Sequence, residues 1–253
     1  MDRVKEILSS GESFRIIYSG AEIESYFNIL YNAGIKNFLM SFHYVQDKQI
    51  NMEKRFYGKE DIQFFIDSGA HTYQQYGKYE NCSIEFWEDY IRKYLNWAEQ
   101  NKKYIFAIAN LDIENLVGDE VVRRWNEKFF IPFMQRTGIP VCFVWHEISF
   151  TDWKGYCKQY SYVGLSAVTT EGKNRELSEY LAKLNVAKRY GTLVHGFGMT
   201  QIELLTKIPF LTVDSTTWLV GTKYGELNFW DGRTWKRLKK DQWKRQYKNK
   251  LIK

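Results

Sequence analysis

The chain has 253 residues, 44% of them hydrophobic and 26% charged: enough apolar material for a full core, and too little polarity for disorder. No apolar run approaches the roughly 20 residues that span a bilayer, and the opening MDRVKEILSSGESF lacks a signal-peptide core, so a cytoplasmic protein with no membrane partner is expected. The net charge of +6 is uneven: residues 221–253 hold eleven Lys/Arg against three Asp/Glu, a net of +8, which leaves −2 on the remainder.

In chain order, eight apolar, β-branched or aromatic runs recur: FRIIYSG (14–20), NFLMSF (37–42), IQFFIDS (62–68), YIFAIANLD (104–112), PVCFVWH (140–146), YVGLSAV (162–168), GTLVHGFG (191–198) and FLTVDST (210–216). They are near-continuously apolar, as parallel strands covered on both faces are. Helical spacing lies between them. Ile23, Tyr26, Phe27, Leu30 and Tyr31 form one apolar stripe. Ser83 is placed to cap IEFWEDYIRKYLNWAEQ, and 119–137 reads as a helix bent or split at Pro132 and ended by Gly138. Residues 174–189 and 200–207 are further helices. Segment 43–60 has no clear period and reads as a long loop. Eight strands alternating with helices, without a G-x-G-x-x-G turn after the first, predict a (β/α)8 barrel over residues 1–220 rather than a doubly wound sheet.

Residues 221–253 form a basic extension. Trp218, Trp230, Trp235 and Trp243 lie in it or just before it. Two readings stand: a solvated basic terminal helix, or a polyanion contact in which Lys/Arg neutralise phosphates and aromatics stack on bases; the tryptophans equally suit packing the extension onto the domain. Cys82, Cys142 and Cys157 are scattered, with no C-x-x-C pair; reduced thiols and no structural metal are expected.

A barrel displays its chemistry at the C-terminal ends of its strands. Several runs end in reactive types: Asp67-Ser68, Asp112, His146, Ser166, His195 and Asp214-Ser215. One such acid is readily a helix cap. Three converging on one mouth suit a division into a nucleophile and a general acid/base, as cleavage at an anomeric carbon requires.

IDSGAHT (66–72) resembles the D-S-G-G-[FY]-Q motif of tRNA-guanine transglycosylases, (β/α)8 enzymes that exchange a guanine base for a 7-deazaguanine. ANLDIEN, FVWHE, YVGLSAV, VHGFGMTQIELL and FLTVDSTTW follow in the family's order, and the likeness covers residues 62–218. It implies Asp214 as the nucleophile at C1′ and Asp67 as the acid/base. It implies Asp112 as acceptor for the purine's Watson–Crick edge, with Ser68, Gly69, His71 and His146 beside the base. Gly164, Leu165, Gly196 and Gly198 would be the close backbone approach to base or phosphate. His195 carries less weight, and Arg123, Arg124 and Lys173 read as ordinary charges. The chain departs from the pattern at Ala70 and His71, and it lacks the Cys/His cluster with which the family's longer tRNA enzymes bind zinc. The compact zinc-free form is similar to phage and genomic-island relatives that place 7-deazaguanines in DNA. The resemblance therefore implies DNA ahead of tRNA, a 7-deazaguanine base as second substrate, no cofactor, and a host cytoplasm if phage-encoded. A homodimer or a partner subunit stays open, and a glycosidase acting on a soluble sugar is the rival from the residues alone.

Overall fold

The computed structural model describes residues 15–239, apart from 60, 76–78, 148, 150–151, 168–174, 200–204, 206, 209, 220–225 and 231–234. Two compact units divide at one peptide bond, Met1–Asp214 and Ser215–Lys253. Among the described residues no helix is long and apolar enough to cross a membrane.

All eight apolar runs are strands: β1 (Arg15–Ser19), β2 (Asn37–Ser41), β3 (Gln63–Asp67), β4 (Ile105–Ala109), β5 (Val141–Trp145), β6 (Tyr162–Ser166), β7 (Leu193–Phe197) and β8 (Thr212–Ser215). They close in sequence order into a barrel of parallel neighbours. The ring is joined where Arg15 N–H donates to Leu211 O at 2.9 Å. The fold is a (β/α)8 barrel.

Helices α1 (Glu24–Asn32), α2 (Phe42–Asp47) and α3 (Met52–Phe56) follow the first two strands. The last two correct the loop expected over 43–60. Each is too short for a periodic stripe to be read, but Phe42, Val45, Met52 and Phe56 are buried, and Asn51 Oδ1 caps α3 by accepting from Lys54 N–H at 2.9 Å. Phe56 packs on Phe27 and Phe64 with ring centroids 4.7 and 4.8 Å away, so α3 seals the outer face of β3.

Helix α4 (Ala70–Gln75) is a short turn after β3, and α5 (Ile84–Gln100) starts at Ser83, whose Oγ accepts from Phe86 N–H at 3.2 Å. The segment from 119 does split. After α6 (Glu114–Val117), α7 (Asp119–Trp125) runs into a π-helical turn (Asn126–Phe130) and α8 (Ile131–Thr137), with Pro132 in the first turn of α8 and Gly138 left-handed at φ +73°. α9 (Trp153–Gln159) and α10 (Leu177–Tyr190) complete the described helices of this unit. The helix expected over 200–207 lies almost wholly outside the described residues.

Inside the barrel, Phe65, Tyr162 and Phe197 are large, while Ala107, Ala109 and Cys142 are small. Large rings from one arc therefore fill the space left by short side chains on the other. Gly164 belongs to this fit, since a Cβ there would stand 2.5 Å from the Phe197 ring.

In the second unit, β9 (Glu226–Trp230) pairs antiparallel with β10 (Trp235–Lys239), setting Trp230 opposite Trp235. Part of the basic extension is thus a hairpin rather than the terminal helix that was one of its two readings. Trp243 and the remaining basic residues lie outside the described positions.

Candidate active site

Asp67 is the last residue of β3, where the apolar run of the strand stops and the chain must turn. Its Oδ2 accepts from Gly69 N–H at 2.9 Å. That turn needs φ +87° at Gly69, where a Cβ would sit 2.7 Å from His43 Cβ, so only glycine fits. Helix α5 braces the turn from outside the barrel: Tyr90 OH donates to Ser68 O at 2.6 Å, and Tyr94 OH reaches Ile66 O at 2.8 Å and Ala109 O at 3.1 Å. The backbone around Asp67 is therefore rigid.

Burial raises the Asp67 carboxyl to about 7. The charges of Asp112 and Asp214 add to the rise, while Gly69 N–H and the Ser41 hydroxyl oppose it. An unfolded aspartate titrates near 3.9. Between about pH 4 and 7 the native state keeps a proton that the unfolded chain has released, so this group makes stability fall as pH rises, and the loss is complete above about 7. Asp67→Asn removes that penalty. Thermal unfolding at about pH 4 and pH 8 is expected to show the variant gaining on wild type at the higher pH; an equal difference at both would refute the raised carboxyl.

Asp112 lies three residues beyond β4. Its Oδ2 is 3.1 Å from His146 Nε2, its Oδ1 is 3.5 Å from Ser68 Oγ, and its carbonyl accepts from Gln74 Nε2 at 3.0 Å. Asn110 fixes this stretch by accepting from Val144 N–H at 2.9 Å and donating to Asn126 Oδ1 at 3.1 Å. His146 follows β5 directly. Burial pushes its imidazole down, but the Asp112 hydrogen bond and the charges of Asp112, Glu114 and Glu147 outweigh it and bring the group up to about 9.

Beneath His146 lies Glu114, absent from the sequence reading. Its side chain is 2% exposed, and its Oε2 is 3.7 Å from His146 Nε2. Neither carboxyl oxygen has a hydrogen-bond partner among the described residues. Burial pushes this carboxyl up. Opening a helix, it reads in sequence as an ordinary first-turn acid. Arg175 was also missed. Its buried guanidinium donates to Ser166 O at 2.9 Å and pairs with Glu147 and Glu179, tying the end of β6 to α10.

Asp214 closes the first unit. Its Oδ2 accepts from Ser19 Oγ at 3.0 Å and its Oδ1 from Gly198 N–H at 2.9 Å, with Gly198 at φ +66°. His195 Nε2 stands 3.4 Å from the same Oδ1. His195 lies mid-strand in β7 rather than at a strand end. It is fully buried, stacked on Phe65 at 4.6 Å, and its Nδ1 is 2.7 Å from Thr212 Oγ1, which is 2.6 Å from Tyr162 OH.

The residues picked from sequence therefore divide. Asp67, Ser68, Gly69, Asp112, His146, Gly198 and Asp214 gather at the C-terminal mouth. Gly164 and Gly196 lie within the strands; a Cβ at Gly196 would be 3.1 Å from Val213 and 3.3 Å from Phe210, so both serve packing. Leu165 is buried and alternates with the inward Gly164, which turns it to the helix side. His71 is exposed on α4. Arg123 makes an ordinary helical pair with Asp119 at 3.2 Å, and Lys173 lies outside the described residues. No cluster of metal-ligating residues occurs among the described residues.

No family model matches the chain, and neither does any curated protein. Among solved structures, two mutants of the tryptophan synthase alpha-subunit from Pyrococcus furiosus are similar. One is 13% identical with a TM-score of 0.51, covering 84% of this chain and 91% of that one. The other is 12% identical with a TM-score of 0.50, covering 83% and 91%. The citrate synthase SbnG is 9% identical with a TM-score of 0.48, covering 87% and 93%. At such identities the likeness to the two tryptophan synthase structures is one of fold, and the fold shared is the (β/α)8 barrel.

Proposed function

We infer that the protein is a base-exchange transglycosylase that replaces guanine in nucleic acid, DNA ahead of tRNA, with a 7-deazaguanine. The observation that carries this reading is the contrast between two carboxylates at one mouth. Asp67 is held near neutrality, where a group gives and takes protons most effectively. Asp214 accepts from a hydroxyl on one oxygen and from a backbone N–H on the other, which hold its carboxylate in place. An acid/base that must cycle its proton and a nucleophile that must be held in position call for those two environments.

In this mechanism Asp214 attacks C1′ of the nucleotide, the bond from C1′ to the purine nitrogen breaks, and Asp67 protonates the departing base. Asp67 then takes the proton from the incoming base, which attacks C1′ and displaces the Asp214 carboxylate. Asp112 accepts from the purine's Watson–Crick edge while His146 holds its other oxygen; a base lacking those donors would leave the acceptor unpaired. That the enzyme works on a polyanion draws support from the charge of the second unit, +8, against −2 for the rest of the chain.

The test is incubation with DNA and, in parallel, tRNA carrying labelled guanine, with 7-deazaguanines added. Guanine release that depends on the added base, and a protein–nucleic acid adduct on a denaturing gel, are expected with DNA. Release from tRNA alone would move the substrate to tRNA. Neither release nor adduct, with hydrolysis of a soluble glycoside instead, would replace this function with a small-molecule glycosidase.

A further inference from the structure

The geometry points to His195 as a positioning residue for Asp214, locked by a buried Tyr162–Thr212 relay as the Nε2–H tautomer so that its N–H serves the carboxylate when that group is displaced. This rests on the base-exchange reading of Asp214.

The tautomer follows from satisfying each proton in turn. Tyr162 OH is buried inside the barrel and its one hydrogen-bond partner among the described residues is Thr212 Oγ1 at 2.6 Å. A buried phenol must place its hydrogen on an acceptor, and burial keeps this phenol protonated. Tyr162 therefore donates and Thr212 accepts. The Thr212 hydrogen then goes to its other neighbour, His195 Nδ1, at 2.7 Å. With Nδ1 accepting, the ring proton sits on Nε2. Each alternative strands a hydrogen in an apolar interior: His195 Nδ1–H to Thr212 and Thr212 to Tyr162 strands that of Tyr162, and Thr212 accepting from both neighbours strands its own.

Nε2 is then the unusual atom. It is fully buried and makes no hydrogen bond among the described residues, and orphaned buried donors are rare. Its nearby acceptor is Asp214 Oδ1 at 3.4 Å, beyond a well-made bond. The ring is clamped by Phe65 at 4.6 Å and Phe197 at 4.2 Å, which holds Nε2 beside Oδ1, short of a made hydrogen bond.

The two oxygens of Asp214 thereby differ. Oδ1 has Gly198 N–H and faces His195; Oδ2 has the rotatable Ser19 hydroxyl. Oδ2 is the attacking atom. In the first displacement the Oδ2–C1′ bond forms and the electron pair of the C1′–N bond leaves with the base. In the second, the incoming base's nitrogen bonds to C1′ and the Oδ2–C1′ pair returns to the carboxylate. Charge reappears on Asp214 only in that second step, and a donor held beside Oδ1 stabilises it there.

The test uses the full chain. Thr212→Val keeps the shape of the side chain and removes the hydroxyl; Thr212→Ser keeps the hydroxyl. Long-range nitrogen–proton NMR on the wild type, which has four histidines, reads the His195 tautomer directly and is expected to give Nε2–H for the neutral ring. Rapid-quench trapping on guanine-containing DNA is expected to show adduct breakdown slowed about tenfold in Thr212→Val, with adduct formation unchanged. That is less than the ~100-fold expected for deleting a donor outright. Thr212→Ser should restore the rate. Adduct breakdown at the wild-type rate in Thr212→Val, or an Nδ1–H tautomer in a protein that traps DNA normally, would overturn the relay while leaving base exchange intact. A wild type that traps neither DNA nor tRNA would overturn base exchange and the leaving-group role with it.

Discussion

Asp214→Asn is expected to abolish covalent trapping on guanine-containing DNA, a loss of about 10³-fold or more, with DNA affinity near the wild-type value. The amide keeps the volume of the carboxylate and loses its nucleophilicity. Its oxygen can take the Gly198 side, where the fixed N–H must find an acceptor. Its NH₂ can face Ser19, whose hydroxyl rotates to accept. The cost in stability is then about 1 kcal/mol, small enough for the barrel to fold. Asp67→Asn is the necessary partner experiment: it should slow base departure and leave the nucleophile in place. Trapping by Asp214→Asn alongside failure of Asp67→Asn to trap at all would exchange the two assignments.

Gly69→Ala is the substitution expected to damage the site most without touching a carboxylate. At φ +87° an L-residue is strained by about 1–2 kcal/mol. The added Cβ also meets His43 Cβ at 2.7 Å, and overpacking of that kind costs about 1–3 kcal/mol. Together the loss is about 3 kcal/mol, or roughly 6–12 °C in Tm for a chain of this size. Asp67 would be displaced with the turn, so activity falls as well. Gly34→Ala is the control: its φ is +85°, but nothing lies within 4 Å of the new Cβ, so the strain contribution alone is expected. Calorimetry giving the two variants the same Tm would show that the approach to His43 is not tight.

The barrel was legible in the sequence because each strand is a near-continuous apolar run, and strands covered on both faces leave that mark whatever surrounds them. Asp67 and Asp214 were legible for the same reason, as acids that interrupt such runs. Asp112 was found too, though it stands three residues past β4. Other parts carried no such mark. Helices α2 and α3 are shorter than the window in which a 3.6-residue period can be recognised. Glu114 resembles any acid in a first helical turn, and what distinguishes it is burial under His146, a contact across 32 positions of chain. Thr212 sits inside a strand among apolar neighbours, where a polar residue has no local signature; His195 was picked out, but as a strand-end residue, whereas it lies mid-strand. The pairing of β9 with β10 depends on register between two short segments of mixed composition.

Ser19 and Asp214 are 195 positions apart and belong to the first and last strands of the ring. Their hydrogen bond lies on the seam at which β8 returns to β1, the contact with the greatest loop-closure entropy in the barrel. Such joints form late in folding. Secondary structure is therefore expected to recover before reactivity in refolding chains, because the Asp214 carboxylate gains its Ser19 donor only when the ring shuts. A nascent or partly opened molecule carries every strand-end acid and still lacks the assembled Asp214 site. Under the proposed function, glycosidic-bond chemistry would thus stay silent until the fold is complete.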